Sequence, residues 1–236
     1  MNIKNYGKPM SSTIREMPPW LRRKAMFISF KLMLKHLRVI GLVRFFLTLP
    51  GEWRRLMNHD YAVVCERGIV DQDFVNMQIQ STAMFSTMAR VVGTEKALDI
   101  QTQIAGNIAY DLMSNLGPSP EELKATGDQF GAFRAWMKAL YQADKEAGIH
   151  DYEIVEDTPD AFQVNVTYCA FYAIPAEVGL GIACQPSCYC DEIFFPRYCA
   201  QIGSCFKRES TIARGAKVCD FRFEHVAQGK TKKEVD

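Results

Sequence analysis

From Trp20 to about Leu49, apolar residues such as Met26, Phe30, Met33, Leu34, Leu37 and Ile40 recur at three- and four-residue steps, with Arg23, Lys24, Lys31, Lys35 and Arg38 between them. That period predicts an amphipathic helix. Met17-Pro18-Pro19 directs the chain before it, Gly41 weakens it, and Pro50-Gly51 is expected to end it. A second stripe, Phe74, Met77, Met84, Met88 and Val91, predicts a helix from Gln72 to Val92 that stops at Gly93. With Thr94 as N-cap, a third runs through Leu98, Ile104, Ile108 and Leu112 to Gly117. Ser119, Pro120 and Glu122 have the spacing of a capping box with proline at the first helical position. The helix it opens carries Phe130, Phe133, Met137 and Leu140, and Gly148 closes it.

The period changes after Ile149. Segments 152–156 and 162–168 alternate partially between apolar and polar residues around Thr158-Pro159-Asp160, which predicts an antiparallel hairpin. Two helical stretches follow, about Ala170–Val178 and Cys188–Gln201. A second hairpin runs from Cys205 to Ala213, turns at Arg214-Gly215-Ala216-Lys217, and returns from Val218 to Val226. The fold class expected is α+β: N-terminal helices packed on a C-terminal four-stranded, mainly antiparallel sheet with a helical crossover. The organisation expected is a basic amphipathic arm at 1–58, a single α+β domain at 59–227 with its helical part at 59–149 and sheet part at 150–227, and a disordered charged tail at 228–236.

Charge changes this picture at one end. The formal balance is +1, yet residues 1–58 hold twelve Lys or Arg against Glu16 and Glu52, so that segment carries +10 and the remainder −9. Such a block suits docking on the acidic remainder or on a second copy, as in a homo-oligomer, or peripheral contact of residues 20–49 with an anionic membrane. Nucleic acid fits less well, because the long apolar face wants burial more than phosphate contacts do. The first apolar run is interrupted by Lys31, Lys35, Arg38 and Arg44, which argues against a secretory signal and against a spanning helix. The expectation is a reducing, cytoplasmic location, if peripheral then at the inner membrane face, with the eight cysteines as thiols.

Seven of those cysteines lie between Cys169 and Cys219. Cys184, Cys188, Cys190 and Cys199 lack the paired knuckles and nearby histidine of a structural zinc site, so no cofactor is expected, although a metal held by these thiols stays open beside the reading of buried small hydrophobes. Cys188 and Asp191 stand three apart on a helix, where a thiolate lowered by the N-terminus and a carboxylate could act together as nucleophile and base; the competing reading is a carboxylate that merely caps the first turn. Arg208 and Arg222 fall on the two strands of the last hairpin and suit a substrate carboxylate, or a solvated pairing with Glu209 or Glu224. Asp220 is a candidate buried carboxylate that alternates away from Phe221. His225 is a further, weaker candidate; His150 only begins the sheet region. No Gly-x-Ser-x-Gly elbow, phosphate loop or dinucleotide fingerprint is present.

The runs Asn165-Val166-Thr167-Tyr168-Cys169, Glu177-Val178-Gly179, Cys188-x-x-Asp191 and Arg208-x-x-Thr211-Ile212-Ala213-x-Gly215-x-x-x-Cys219-Asp220-Phe221-Arg222-Phe223 resemble the C-terminal signature of the L-2-amino-thiazoline-4-carboxylic acid hydrolase family. The likeness covers about a quarter of the chain. It implies a hydrolase acting at the carbon–nitrogen bonds of a small cyclic amidine, giving an N-carbamoyl cysteine type of product; Cys188 and Asp191, the catalytic candidates on spacing, both fall in the matching runs. Arg208, Arg222, Cys169, Thr211, Cys219 and Asp220 are the substrate-binding candidates. The same end is more distantly similar to the 4-vinyl reductase domain, which implies instead a non-catalytic small-molecule sensor.

Overall fold

A computed structural model describes residues 7–10, 12 and 16–226. The expected tail at 228–236 lies outside the described residues. The fold is α+β: helices α1 (Pro19–Met57), α2 (Ala62–Glu66), α3 (Gln72–Val92), α4 (Thr94–Met113), α5 (Pro120–Lys124) and α6 (Gln129–Glu146) precede strands β1 (His150–Asp157) and β2 (Ala161–Cys169). Helices α7 (Ala170–Glu177) and α8 (Gln185–Gln201), joined by a 3-10 turn at Gly181–Cys184, cross to β3 (Ser204–Lys207) and β4 (Cys219–His225). The strands form one antiparallel sheet in the order β1-β2-β4-β3.

Alternation along β2 and β4 buries Phe162, Val164 and Val166 with Cys219, Phe221 and Phe223 on one face. That face meets Phe133, Trp136, Met137 and Leu140 of α6 and Phe194, Phe195 and Tyr198 of α8 in the main core. Helix α4 lies alongside α8, where Gly106 lets Tyr189 approach so closely that an added Cβ would stand 3.1 Å from its ring. A Cβ at Gly117 would fall 2.0 Å from the Trp136 ring, so this turn must be glycine for that indole to seat.

Several helix boundaries differ from the sequence expectation: the helix expected to reach Gly117 ends at Met113, and the one expected from about Cys188 starts at Gln185. The capping box at Ser119 forms, with Ser119 Oγ accepting from the Glu122 amide and Glu122 Oε2 from the Ser119 amide, but the helix it opens is only α5. Gly127, at φ 78°, breaks the chain, and Asp128 caps α6 afresh by accepting from the Gly131 amide at 2.8 Å. Gly93, not Thr94, is the N-cap of α4. Pro50-Gly51 does not end α1, which breaks instead at Arg38 (φ 56°, ψ 179°) and then continues through Pro50 to Met57.

Tertiary anchoring overrides the proline. Glu52, in the turn after Pro50, is buried and receives Arg55 at 2.8 Å, Arg90 at 2.9 Å and the Ser86 hydroxyl at 2.6 Å. The Arg55 hydrogen bond, working against burial and helped by Ser86 and Arg90, holds its carboxyl down at about 2. Replacing Glu52 with Ala should therefore cost about 2 kcal/mol in unfolding free energy, below the range for a fully buried pair because both arginines reach water. Since the folded value lies below the unfolded one, the contribution is present above about pH 4.5 and lost as pH falls toward 2; acid titration of Tm, wild type against Glu52→Ala, reads both effects.

Candidate active site

A cavity of about 150 Å³ opens between the buried face of the sheet, α4, α6 and α8. Its walls are mostly hydrocarbon: Leu112, Met113 and Leu116 on one side, Trp136, Met137 and Leu140 on another, and Phe171, Phe194, Phe195 and Phe221 around the rest. Polar groups enter at one end, where Cys169, His150, Cys184, Cys188, Asp191 and Arg208 meet.

Hairpin register builds the centre of that end. Cys169, the last residue of β2, is the direct partner of His150, the first residue of β1. His150 Nδ1 lies 2.9 Å from Asp144 Oδ2, and the other Asp144 oxygen accepts the Met10 amide at 2.7 Å. Asp144 belongs to the last turn of α6 and is fully buried. The Asp144 carbonyl also receives the Ile149 amide at 2.8 Å, which fixes the turn between helix and strand. Phe171 stacks on the imidazole with ring centres 5.8 Å apart, and Tyr141 meets its edge at 6.4 Å.

Cys169 is at the same time the N-cap of α7. Its thiol is drawn well below the ordinary range, first by a hydrogen bond from the Cys184 thiol, against burial, and then by the charge and hydrogen bond of His150 and the amide of Tyr172. Burial alone would depress His150, but the Cys169 thiolate and the Asp144 hydrogen bond carry it up to about 10. Cys184 is pushed in the opposite direction by donating to Cys169 and by contact with Cys188, at 3.8 Å between sulfurs. These shifts run in the directions of a thiolate beside an imidazolium, with the Asp144 carboxylate behind the ring, at a helix start whose first-turn amides lack intrahelical acceptors.

Facing this pair, Asp191 on α8 receives Arg208 Nη1 at 2.7 Å. Burial raises the Asp191 carboxyl to about 6, with Arg208 pulling the other way. Arg208 is itself enclosed: Nη2 donates to the Cys188 carbonyl at 2.7 Å and to Glu192 at 3.0 Å, and the guanidinium lies 5.2 Å over the Phe221 ring. Trp136 Nε1, also in the cavity wall, is buried and donates to no described residue.

The structure thus gathers Cys169, Cys188, Asp191, Arg208 and Cys219 around one cavity and leaves three of the expected residues outside it. Arg222 alternates to the opposite face of β4, where it binds Glu156 at 2.7 Å, Glu224 at 2.7 Å and Gln163 at 2.9 Å. It does not meet Arg208 across the hairpin: its partner on β3 is Lys207, after which the strand ends and Arg208 turns to the core side. Asp220 also points outward, and anchors the intervening loop by accepting the Ser210 amide at 2.6 Å and the Glu209 amide at 3.1 Å. Thr211 is buried in that loop; its carbonyl receives the Arg214 and Ala216 amides, and its hydroxyl has no described partner. Asp220 and Thr211 therefore shape the loop that delivers Arg208.

The remaining cysteines divide by depth. Cys190, expected to point elsewhere, lines the cavity, and burial pushes it up to about 12; Cys219, also raised by burial to about 12, accepts the Ile212 amide at 3.2 Å. Cys199 is fully buried in the core. Among the described residues no group of three His, Cys, Asp or Glu side chains could hold a metal ion. His225 stacks on Phe130 at 5.5 Å, at the other end of the sheet from the cavity.

The sequence model of L-2-amino-thiazoline-4-carboxylic acid hydrolase matches residues 74–223, 150 of the 236. The chain belongs to that family. The match reaches well before the signature legible by eye, taking in α3 to α6 and with them Asp144 and His150. Helix α1 lies outside the hydrolase match. No curated protein and no solved structure matches the chain.

Proposed function

We propose that this member of the family is a thiol hydrolase that opens a small cyclic amidine, with Cys169 as nucleophile, His150 as proton carrier and Asp144 as its positioning residue. The observation that carries the reading is Cys169 opposite His150 on the wall of an apolar cavity, with Asp144 behind the imidazole and a second carboxylate, Asp191, also in the wall. Cys188, the nucleophile expected from spacing, has its sulfur 3.8 Å from that of Cys184, and this reading prefers Cys169 for its place opposite His150.

For a 2-amino-thiazoline the atoms balance as follows. The amidinium lies against Asp191, whose second oxygen accepts no hydrogen bond from a described residue. Cys169 sulfur adds to the carbon between the two nitrogens and the ring sulfur, the ring carbon–sulfur bond breaks, and the departing sulfur takes the proton of His150. The enzyme-bound isothiouronium then receives water, deprotonated by His150, the Cys169 thiolate leaves, and the proton that the amidinium brought passes to Asp191 and on to solvent. An N-carbamoyl cysteine type of product keeps both carbon–nitrogen bonds, so the bond broken is carbon–sulfur, which corrects the carbon–nitrogen assignment made from sequence. Arg208 donates to Asp191, Glu192 and the Cys188 carbonyl, which supports a role in holding Asp191.

Two titrations should frame the rate. Asp191 binds the amidinium only when charged, so kcat/KM should rise with pH through about 6. His150 supplies a proton only while it holds one, so the rate should fall again near pH 10. A pH profile of kcat/KM on 2-amino-thiazoline-4-carboxylate, with thiol release as the signal, checks both limbs. Recovery of the ligand unchanged, although it raises Tm, would replace this reading with the sensor one.

A further inference from the structure

We infer that the outward face of α1 binds an anionic lipid bilayer in the plane of its surface. Twelve of the sixteen large apolar side chains exposed among the described residues belong to this one helix. After the break at Arg38 they fall in a row, Val39, Val43, Phe46, Trp53 and Met57, at helical spacing, with Ile40 and Leu47, 73% and 76% exposed, beside it. Before the break, Phe27, Phe30 and Leu34 make a second row seven residues on from Trp20. The inward row, Leu21, Met33, Leu37, Phe45 and Leu56, is buried against the rest of the chain, so the outward face is surplus to folding.

Charge selects the occupant. Arg23, Lys31, Lys35, Arg38, Arg44 and Arg54 are exposed on the same helix, and no described carboxylate pairs with them. The one carboxylate of α1, Glu52, is turned inward and satisfied. A second copy meeting this face with its own would oppose cation to cation across a hydrocarbon seam. A bilayer surface matches both halves: phosphate headgroups take the lysines and arginines, and the acyl boundary takes Trp, Phe and Leu. No helix among the described residues is long and apolar enough to cross a membrane, which leaves the in-plane arrangement. Because α1 lies outside the family match, this contact is an addition to the hydrolase body and does not depend on the reaction proposed for it.

The test is flotation of the full chain with vesicles of phosphatidylcholine alone or mixed with phosphatidylglycerol. The chain should float with the mixed vesicles and stay behind with the neutral ones, and high salt should release it. Tryptophan emission should move to the blue on binding, since Trp20 and Trp53 are exposed while Trp136 is already buried. Ile40→Ser with Leu47→Ser should abolish flotation with Tm unchanged. Lys31→Glu with Lys35→Glu should weaken it by about 25-fold or more, at about fivefold per cation lost. Absence of flotation with phosphatidylglycerol at low salt overturns the inference. So does a concentration-dependent dimer that is lost in Ile40→Ser with Leu47→Ser, because the face would then be an interface between copies.

Discussion

Cys169→Ala should lower kcat on a 2-amino-thiazoline by about 10⁴-fold or more, with folding intact, while Cys188→Ala should keep most of the activity. The size follows from losing a nucleophile whose partners act as a unit: with the sulfur gone, the imidazolium and the carboxylate behind it have nothing to activate. Both sulfurs line the cavity, so access does not distinguish them. The difference is that Cys169 faces His150 across the hairpin and caps α7, whereas the contact shown for the Cys188 sulfur is the Cys184 thiol. Steady-state kinetics on the two variants, with Tm as control, decides it. Equal loss in both variants would mean that the thiol cluster acts through its packing.

Asp144→Asn is the second large effect, a loss of about 10²–10⁴-fold in kcat. Asp144 touches neither substrate nor the attacking sulfur. It holds the Nδ1 side of His150 and stabilises the imidazolium, so its removal should raise the Cys169 thiol toward the ordinary range. Asparagine can still accept the Met10 amide, which keeps the fold better than alanine would. Thiolate absorbance against pH separates the roles. A purely structural Asp144 would lower Tm and leave the Cys169 titration where it was; a positioning Asp144 moves the titration upward.

How far the sequence reaches can be judged from these same residues. The four strands and the helical crossover follow from the change of period after Ile149 and the turn residues between the segments. Cys188, Asp191 and Arg208 are singled out by the sequence, but the Arg208–Asp191 contact is not legible in it, because Arg208 reaches Asp191 only where β3 stops at Lys207. His150 was passed over because a strand's first residue shows its partner only through register. Shifts between Asp151 and Tyr152 and between Ile154 and Glu156 move the register by a residue and back again, so His150 meets Cys169 in the register set at Asp157 and Phe162, and hydrophobic alternation reports neither shift. Asp144 was hidden for a different reason. It continues the apolar stripe of α6, four residues after Leu140, and a lone carboxylate there shows no partner until the turn at Gly148 brings His150 back to it. The continuation of α1 past Pro50 depends on Glu52 finding Arg90 and Ser86 from another helix, a contact that local propensity cannot contain.

The most direct test is the pH dependence of alkylation, resolved cysteine by cysteine with iodoacetamide and mass spectrometry. Cys169 should already be modified rapidly near pH 6, ahead of the exposed Cys65, and His150→Ala should slow it. If Cys169 stays unmodified there while Cys188 reacts, or if it gains reactivity only alongside Cys65 as pH rises, there is no thiolate–imidazolium pair at the hairpin end and the hydrolase mechanism built on it is wrong.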